Sequence, residues 1–262
     1  MTTLAARTIA ALRAEHDALA SAAPAISADQ LKGPSGASDW TVAQVFSHLG
    51  SGAEITLAGF RAGIGAAAVP EPDFNQRVWD RWNAMAPEDQ AAGALESDAA
   101  LVAALEALTP AQHDEIAINP GFLPQAIPLA AFAAMRLSEV SHHGWDIRVA
   151  SDPAAALPAE SAELLAEHLA GGLSFFLGFI AKPEAIREPA VVAIAGTPYQ
   201  IVLDSRAHFT ASQADATATF DGPLEAALRL LVGRLAPEHT PAGVSVTGNV
   251  DLDNLREIFP GF

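Results

Sequence analysis

Arg136-Leu-Ser-Glu139-Val-Ser-His142-His143-Gly-Trp145-Asp146-Ile-Arg148 is the stretch on which the reading of this chain turns. It lies in an apolar-rich run over residues 127–150, with Pro128 suited to a first helical turn and Ser151-Asp152-Pro153 as a stop. At about 100° per helical residue, Glu139 and His143 project roughly 40° apart, and Asp146 falls within roughly 20° of Glu139. Arg136 flanks the same stripe. Such a stripe is ordinarily a solvated face. Here Phe132, Met135, Val140 and Ile147 bracket it, while Ser138, Ser141 and Arg148 take the far side. The expectation is that the serines and Arg148 face water and that Glu139, His143 and Asp146 point inward. Unpaired charge is costly there and calls for a partner or a metal. His142 points about 100° away from His143 and is the poorer ligand.

Working outward, His48 sits in Ser47-His48-Leu49-Gly50, at the edge of an apolar arc with Val45, Gly52 and Ile55. A lone histidine there is ordinarily a core residue with its hydrogen bonds met. Beside an inward Glu139–His143 pair it becomes a third ligand. Two imidazoles and a carboxylate leave coordination positions open, as catalytic zinc or iron(II) sites do.

The rest of the first half also reads as helix: residues 3–21, 40–60 with Ser38-Asp39 as start signal, and 95–108 closed by Thr109-Pro110. Together with 127–150 these make a four-helix bundle, with a partly helical loop over 75–87. A long amphipathic connector is expected over 160–180. Beyond it the pattern becomes short, β-branched and turn-punctuated: strands at 191–194, 199–203, 208–211, 216–220 and 244–247, and helices after Gly222-Pro223 and over 252–258. The fold class is α+β in two domains: a helical bundle over 1–152, a connecting helix over 153–188 and a small α+β domain over 189–262.

Composition narrows the functions. With 31 acidic against 14 basic residues the net charge is −17, which disfavours nucleic acid and anionic membranes. Cysteine is absent, so no disulfide, thiolate nucleophile or zinc finger is possible, and a metal must rest on nitrogen and oxygen. No apolar run reaches the roughly 18 residues of a membrane span, and the first residues lack a signal-peptide pattern, so a cytoplasmic address is expected.

The string Trp40-Thr-Val-Ala-Gln-Val-Phe-Ser-His48-Leu, followed by Arg136-x-x-Glu139-x-x-x-His143-x-x-Asp146, resembles the mycothiol-dependent maleylpyruvate isomerase family. The resemblance implies a DinB-like four-helix bundle in which His48, Glu139 and His143 bind a divalent metal, usually zinc. It also implies that Asp146 orients a ligand histidine. Asp221-Gly-Pro-Leu-Glu-Ala-Ala-Leu-Arg-Leu-Leu-Val-Gly233-Arg234 is similar to the family's small C-terminal domain, which makes Arg234 the match for an arginine near the substrate. Arg81 is a second arginine expected to face the site. The implied function is a cytoplasmic, metal-dependent enzyme, a monomer or homodimer, that uses mycothiol on a small electrophile. Its outcome would be isomerisation of a maleylpyruvate-like substrate or S-transfer. A non-catalytic metal- or ligand-binding regulatory protein and a metal-dependent hydrolase are the other readings of the same residues.

Overall fold

The computed structural model describes residues 2–261 and divides the chain into two compact units, one ending at Asp152 and one beginning at Pro153. Residues 153–188 therefore belong with the second unit. The first holds α1 (Leu4–Ala22), α2 (Ala28–Lys32), α3 (Val42–Gly63), α4 (Phe74–Asn83), α5 (Pro87–Glu106), α6 (Pro110–Glu115) and α7 (Leu129–Val149). The four long helices, α1, α3, α5 and α7, form the bundle. Both α1 and α3 pack against α5 and α7. Leu12, Phe46, Phe60, Leu101, Leu105 and Leu137 fill the space between them, each almost wholly removed from water.

Local chemistry moves several expected boundaries. α3 starts at Thr41 rather than at Ser38-Asp39. Thr41 Oγ1 accepts the Gln44 N–H at 3.2 Å and Gln44 Oε1 accepts the Thr41 N–H at 2.8 Å, a reciprocal capping box. α5 begins at Pro87, ahead of the expected residue 95, because Pro87 opens the first turn and Glu88 and Asp89 complement its dipole. Thr109-Pro110 closes the third bundle helix but also caps a new short one, α6. Residues 127 and 128 are not helical. They form β2 (Ile127–Pro128), antiparallel to β1 (Ala117–Ile118), and α7 follows.

The outer face assigned to α7 is also corrected. Ser141 is fully buried and its hydroxyl donates to Glu15 Oε1 at 2.8 Å, while Arg148 lies 4.0 Å from Glu15 Oε2. α1 packs on that side of α7, so the serine–arginine face is a polar seam inside the bundle.

The second unit holds α8 (Ala159–Leu169), α9 (Leu177–Ile180), β3 (Ala190–Ile194), β4 (Gln200–Leu203), β5 (Ala207–Thr210), β6 (Ala218–Asp221), α10 (Leu224–Leu231), β7 (Ser245–Gly248) and α11 (Leu252–Ile258). The expected 160–180 helix breaks after Leu169, where Gly171-Gly172 withdraws helix propensity at about 1 kcal/mol per glycine. The sheet order is β5-β4-β3-β6-β7, antiparallel throughout except for the parallel β3–β6 pair. Side chains alternate buried and half-buried along β3, and α8 packs against α10. No helix among the described residues is long and apolar enough to cross a membrane.

Candidate metal centre

His48 comes from α3, and Glu139 and His143 lie one turn apart on α7. Their imidazole nitrogens and carboxylate oxygen all fall within 4.8 Å of one another. His48 Nε2 lies 2.7 Å from Glu139 Oε2, and His143 Nε2 lies 3.7 Å from the same oxygen. Ligand bonds to a divalent ion run about 2.0–2.2 Å, so donors this close can share one ion, which would replace the proton between His48 and Glu139. The donor set suits zinc or another divalent transition metal. No fourth histidine or carboxylate joins this group among the described residues.

The side chains of His48, Glu139 and His143 are 37%, 43% and 14% exposed, whereas Asp146 is wholly buried. The stripe therefore does not point into a closed interior. Its upper part opens to solvent and its lower end, Asp146, is sealed beneath. Asp146 Oδ2 lies 2.8 Å from His143 Nδ1. A carboxylate can only accept, so Nδ1 donates here, which leaves Nε2 as the nitrogen that a metal would take in place of a proton.

Trp40, from the loop ahead of α3, stacks on His143 and meets His48 at a tilt of 48°. Its ring centroid is 5.9 Å from that of His143, with the planes 19° apart, and 5.2 Å from that of His48. The two imidazoles meet edge to face at 4.5 Å. The sequence pattern places Trp40 at the start of the 40–60 helix, whereas it lies in the loop ahead of the Thr41 cap, and its contact with His143 of α7 depends on a second element.

Burial alone would raise the Glu139 pKa. The His48 hydrogen bond and the charges of His143, His48 and Arg136 outweigh it and bring the value to about 2. Arg136, which flanks the stripe, is itself buried. Its Nη2 donates to Asp98 Oδ1 at 2.8 Å and to the Leu49 carbonyl at 2.9 Å, and Asp98 Oδ2 lies 3.0 Å from His16 Nδ1. Asp98 is pushed up by burial, but Arg136 and His16 more than offset this and hold it below its ordinary value. His16 and Asp98 escaped sequence reading because each sits on a helix whose partners lie far along the chain.

Arg81, at the end of α4, pairs with Glu54 of α3, which also accepts the Trp82 indole N–H at 3.0 Å. Arg234 lies beyond the end of α10, not within it. Gly233 adopts φ +74°, and the Arg234 N–H returns to the Arg229 carbonyl at 2.7 Å while the Gly233 N–H returns to that of Leu230 at 3.0 Å. Only glycine takes that left-handed turn without strain. The Arg234 side chain is half-buried, with Nη1 donating to the Val232 carbonyl at 3.1 Å. His142 directs Nδ1 to the Ser138 carbonyl at 2.8 Å, within its own helix.

No curated protein matches the chain. Among solved structures, the mycothiol-dependent maleylpyruvate isomerase is similar at 16% identity and a TM-score of 0.66, with the whole of both chains covered. A histidine-to-alanine variant of that enzyme is similar at 15% identity, with the same TM-score and coverage. Likeness at that identity establishes a shared fold. The family profile for the mycothiol maleylpyruvate isomerase N-terminal domain matches residues 12–148, a span that contains His48, Glu139, His143 and Asp146. The chain belongs to the mycothiol maleylpyruvate isomerase N-terminal domain family.

Proposed function

We propose that this protein is an enzyme that holds a divalent metal, zinc by its donor set and family, through His48, Glu139 and His143, and that uses mycothiol to isomerise a maleylpyruvate-like substrate. The observation that carries the reading is the three-donor cluster with its buried Asp146 support, inside the span the family profile covers. A divalent metal bound there supplies a positive centre at which an added thiol ionises at neutral pH. The chain has no cysteine, so the thiol comes from outside.

Glu139 stays ionised and contributes the negative charge that favours a divalent cation. Asp146 fixes the His143 ring and its tautomer. Arg234 is assigned the substrate carboxylate, because a guanidinium binds carboxylates through paired hydrogen bonds. Arg81 is the alternative for that role. In isomerisation the thiol sulfur bonds to one alkene carbon, the former double bond rotates, and the thiol leaves as the double bond re-forms, so nothing is consumed. If the adduct is kept, the outcome is S-transfer. Hydrolysis would need a free base beside the cluster, and the buried Asp146 is already engaged with His143.

The test is turnover of a cis-unsaturated dicarboxylate of the maleyl type, with and without mycothiol, by protein of known metal content. Turnover only with mycothiol supports the proposal. Equal rates in both would promote hydrolysis, and no turnover in either would leave a binding protein.

A further inference from the structure

Trp40 touches both ligand histidines yet belongs to neither bundle helix. The loop that carries it is heavily fastened. Pro34 bridges to Thr41, and Trp40 O accepts both the Ser35 N–H at 3.0 Å and the Ser35 hydroxyl at 2.8 Å. Asp39 takes a left-handed turn at φ +64°, and the Trp40 N–H returns to Ala37 O at 3.2 Å. The loop is seated on α7 at one point, where the Gly36 N–H donates to Asp146 O at 2.8 Å. That residue's carboxylate also orients His143, so the loop seat and a ligand's orientation meet in one amino acid. There is no room there for a larger residue: a Cβ on Gly36 would lie 2.6 Å from Val149 Cγ1, 2.9 Å from Trp145 Cζ3 and 3.0 Å from Asp146 Cα.

We infer that Trp40 is a positioning residue of the metal centre, an indole clamped by the 34–41 loop onto His48 and His143 that fixes their rings and slows escape of the ion. An imidazole loaded with a divalent cation carries partial positive charge, and an indole face attracts positive charge more strongly than it attracts a neutral ring. The stacked indole therefore favours the loaded centre over the empty one. It also lies along the His143 ring and, tilted by 48°, against the His48 ring, which limits the rotamers they can reach when a ligand bond breaks. The inference rests on the metal-binding reading above and adds a residue that donates no ligand atom.

The test uses the full chain loaded with Co(II), reading its affinity, its dissociation rate into excess chelator and its visible absorption bands. W40A is expected to weaken affinity about 10–100-fold, the range for groups that orient metal ligands, and to speed dissociation with weaker bands as water enters. W40F keeps a smaller aromatic face and should fall between W40A and the parent. G36A, which unseats the loop and leaves Trp40 itself unchanged, should move in the same direction as W40A. Far-UV circular dichroism confirms folding, and W40F with G36A carry the measurement if W40A does not fold. A parent protein that binds no Co(II) overturns the metal reading and this inference with it. A parent that binds while folded W40F and G36A match it in affinity, rate and spectrum overturns this inference alone.

Discussion

At the scale of single residues, the cluster makes demands that substitution can check. Protein purified without chelator is expected to hold close to one divalent metal per chain by elemental analysis. H48A and E139Q should each lose most of it, since each removes one of three donors. D146N keeps all three but offers His143 Nδ1 a neutral amide in place of a carboxylate. Metal affinity should fall about 10–100-fold without loss of fold. An unchanged metal content in H48A would reject the site.

At the scale of elements, the bundle is held partly by a buried polar seam. His16 of α1, Asp98 of α5 and Arg136 of α7 form one chain of contacts, with Asp98 and Arg136 almost fully buried. Removing one charge leaves the other buried and unpaired, so D98N is expected to cost about 3–5 kcal/mol in urea unfolding. The pH dependence follows from the lowered Asp98 pKa. A carboxyl whose folded pKa lies below its unfolded value stabilises the fold above that unfolded value, and the stabilisation is lost as pH falls through the folded one. Parental stability should thus decline as pH drops below the ordinary value of 3.8, and D98N should decline less steeply there. The α3 cap is a smaller test. T41A removes one half of the capping box and should cost about 1 kcal/mol, read as a lower denaturant midpoint.

At the scale of the whole molecule, the proposed function gives the metal to residues of the first unit and the substrate carboxylate to Arg234 of the second, and that proposal is open to test. R234A is expected to lower kcat/KM for the maleyl-type substrate about 10–100-fold, the loss of one charged hydrogen-bonding partner, with metal content unchanged. R234K should recover part of it, since a lysine keeps the charge but not the paired geometry. If R234A turned over like the parent, the substrate role would pass to Arg81 or to no arginine. The net charge of −17 also bears on the molecule as a whole, and no salt-sensitive binding to duplex DNA is expected in a filter or anisotropy assay.

Periodicity and residue chemistry are local, and they made part of this molecule legible in its sequence. The long apolar repeats of α1, α3 and α7, the short β-branched strands after residue 189, and the Glu139-x-x-x-His143-x-x-Asp146 stripe are local patterns, legible because neighbours on one helix face are set by the 3.6-residue turn. Features that need a second element emerge only on packing. Ser141 and Arg148 look like a solvent face until α1 packs over them with Glu15. Arg136 flanks the stripe in the sequence, but its partner Asp98 lies on another helix and only packing brings the two together. Trp40 comes against His48 and His143 from a loop that Gly36 seats on α7. In each case burial and partners are properties of packed surfaces from distant parts of the chain, and no single helix face contains them.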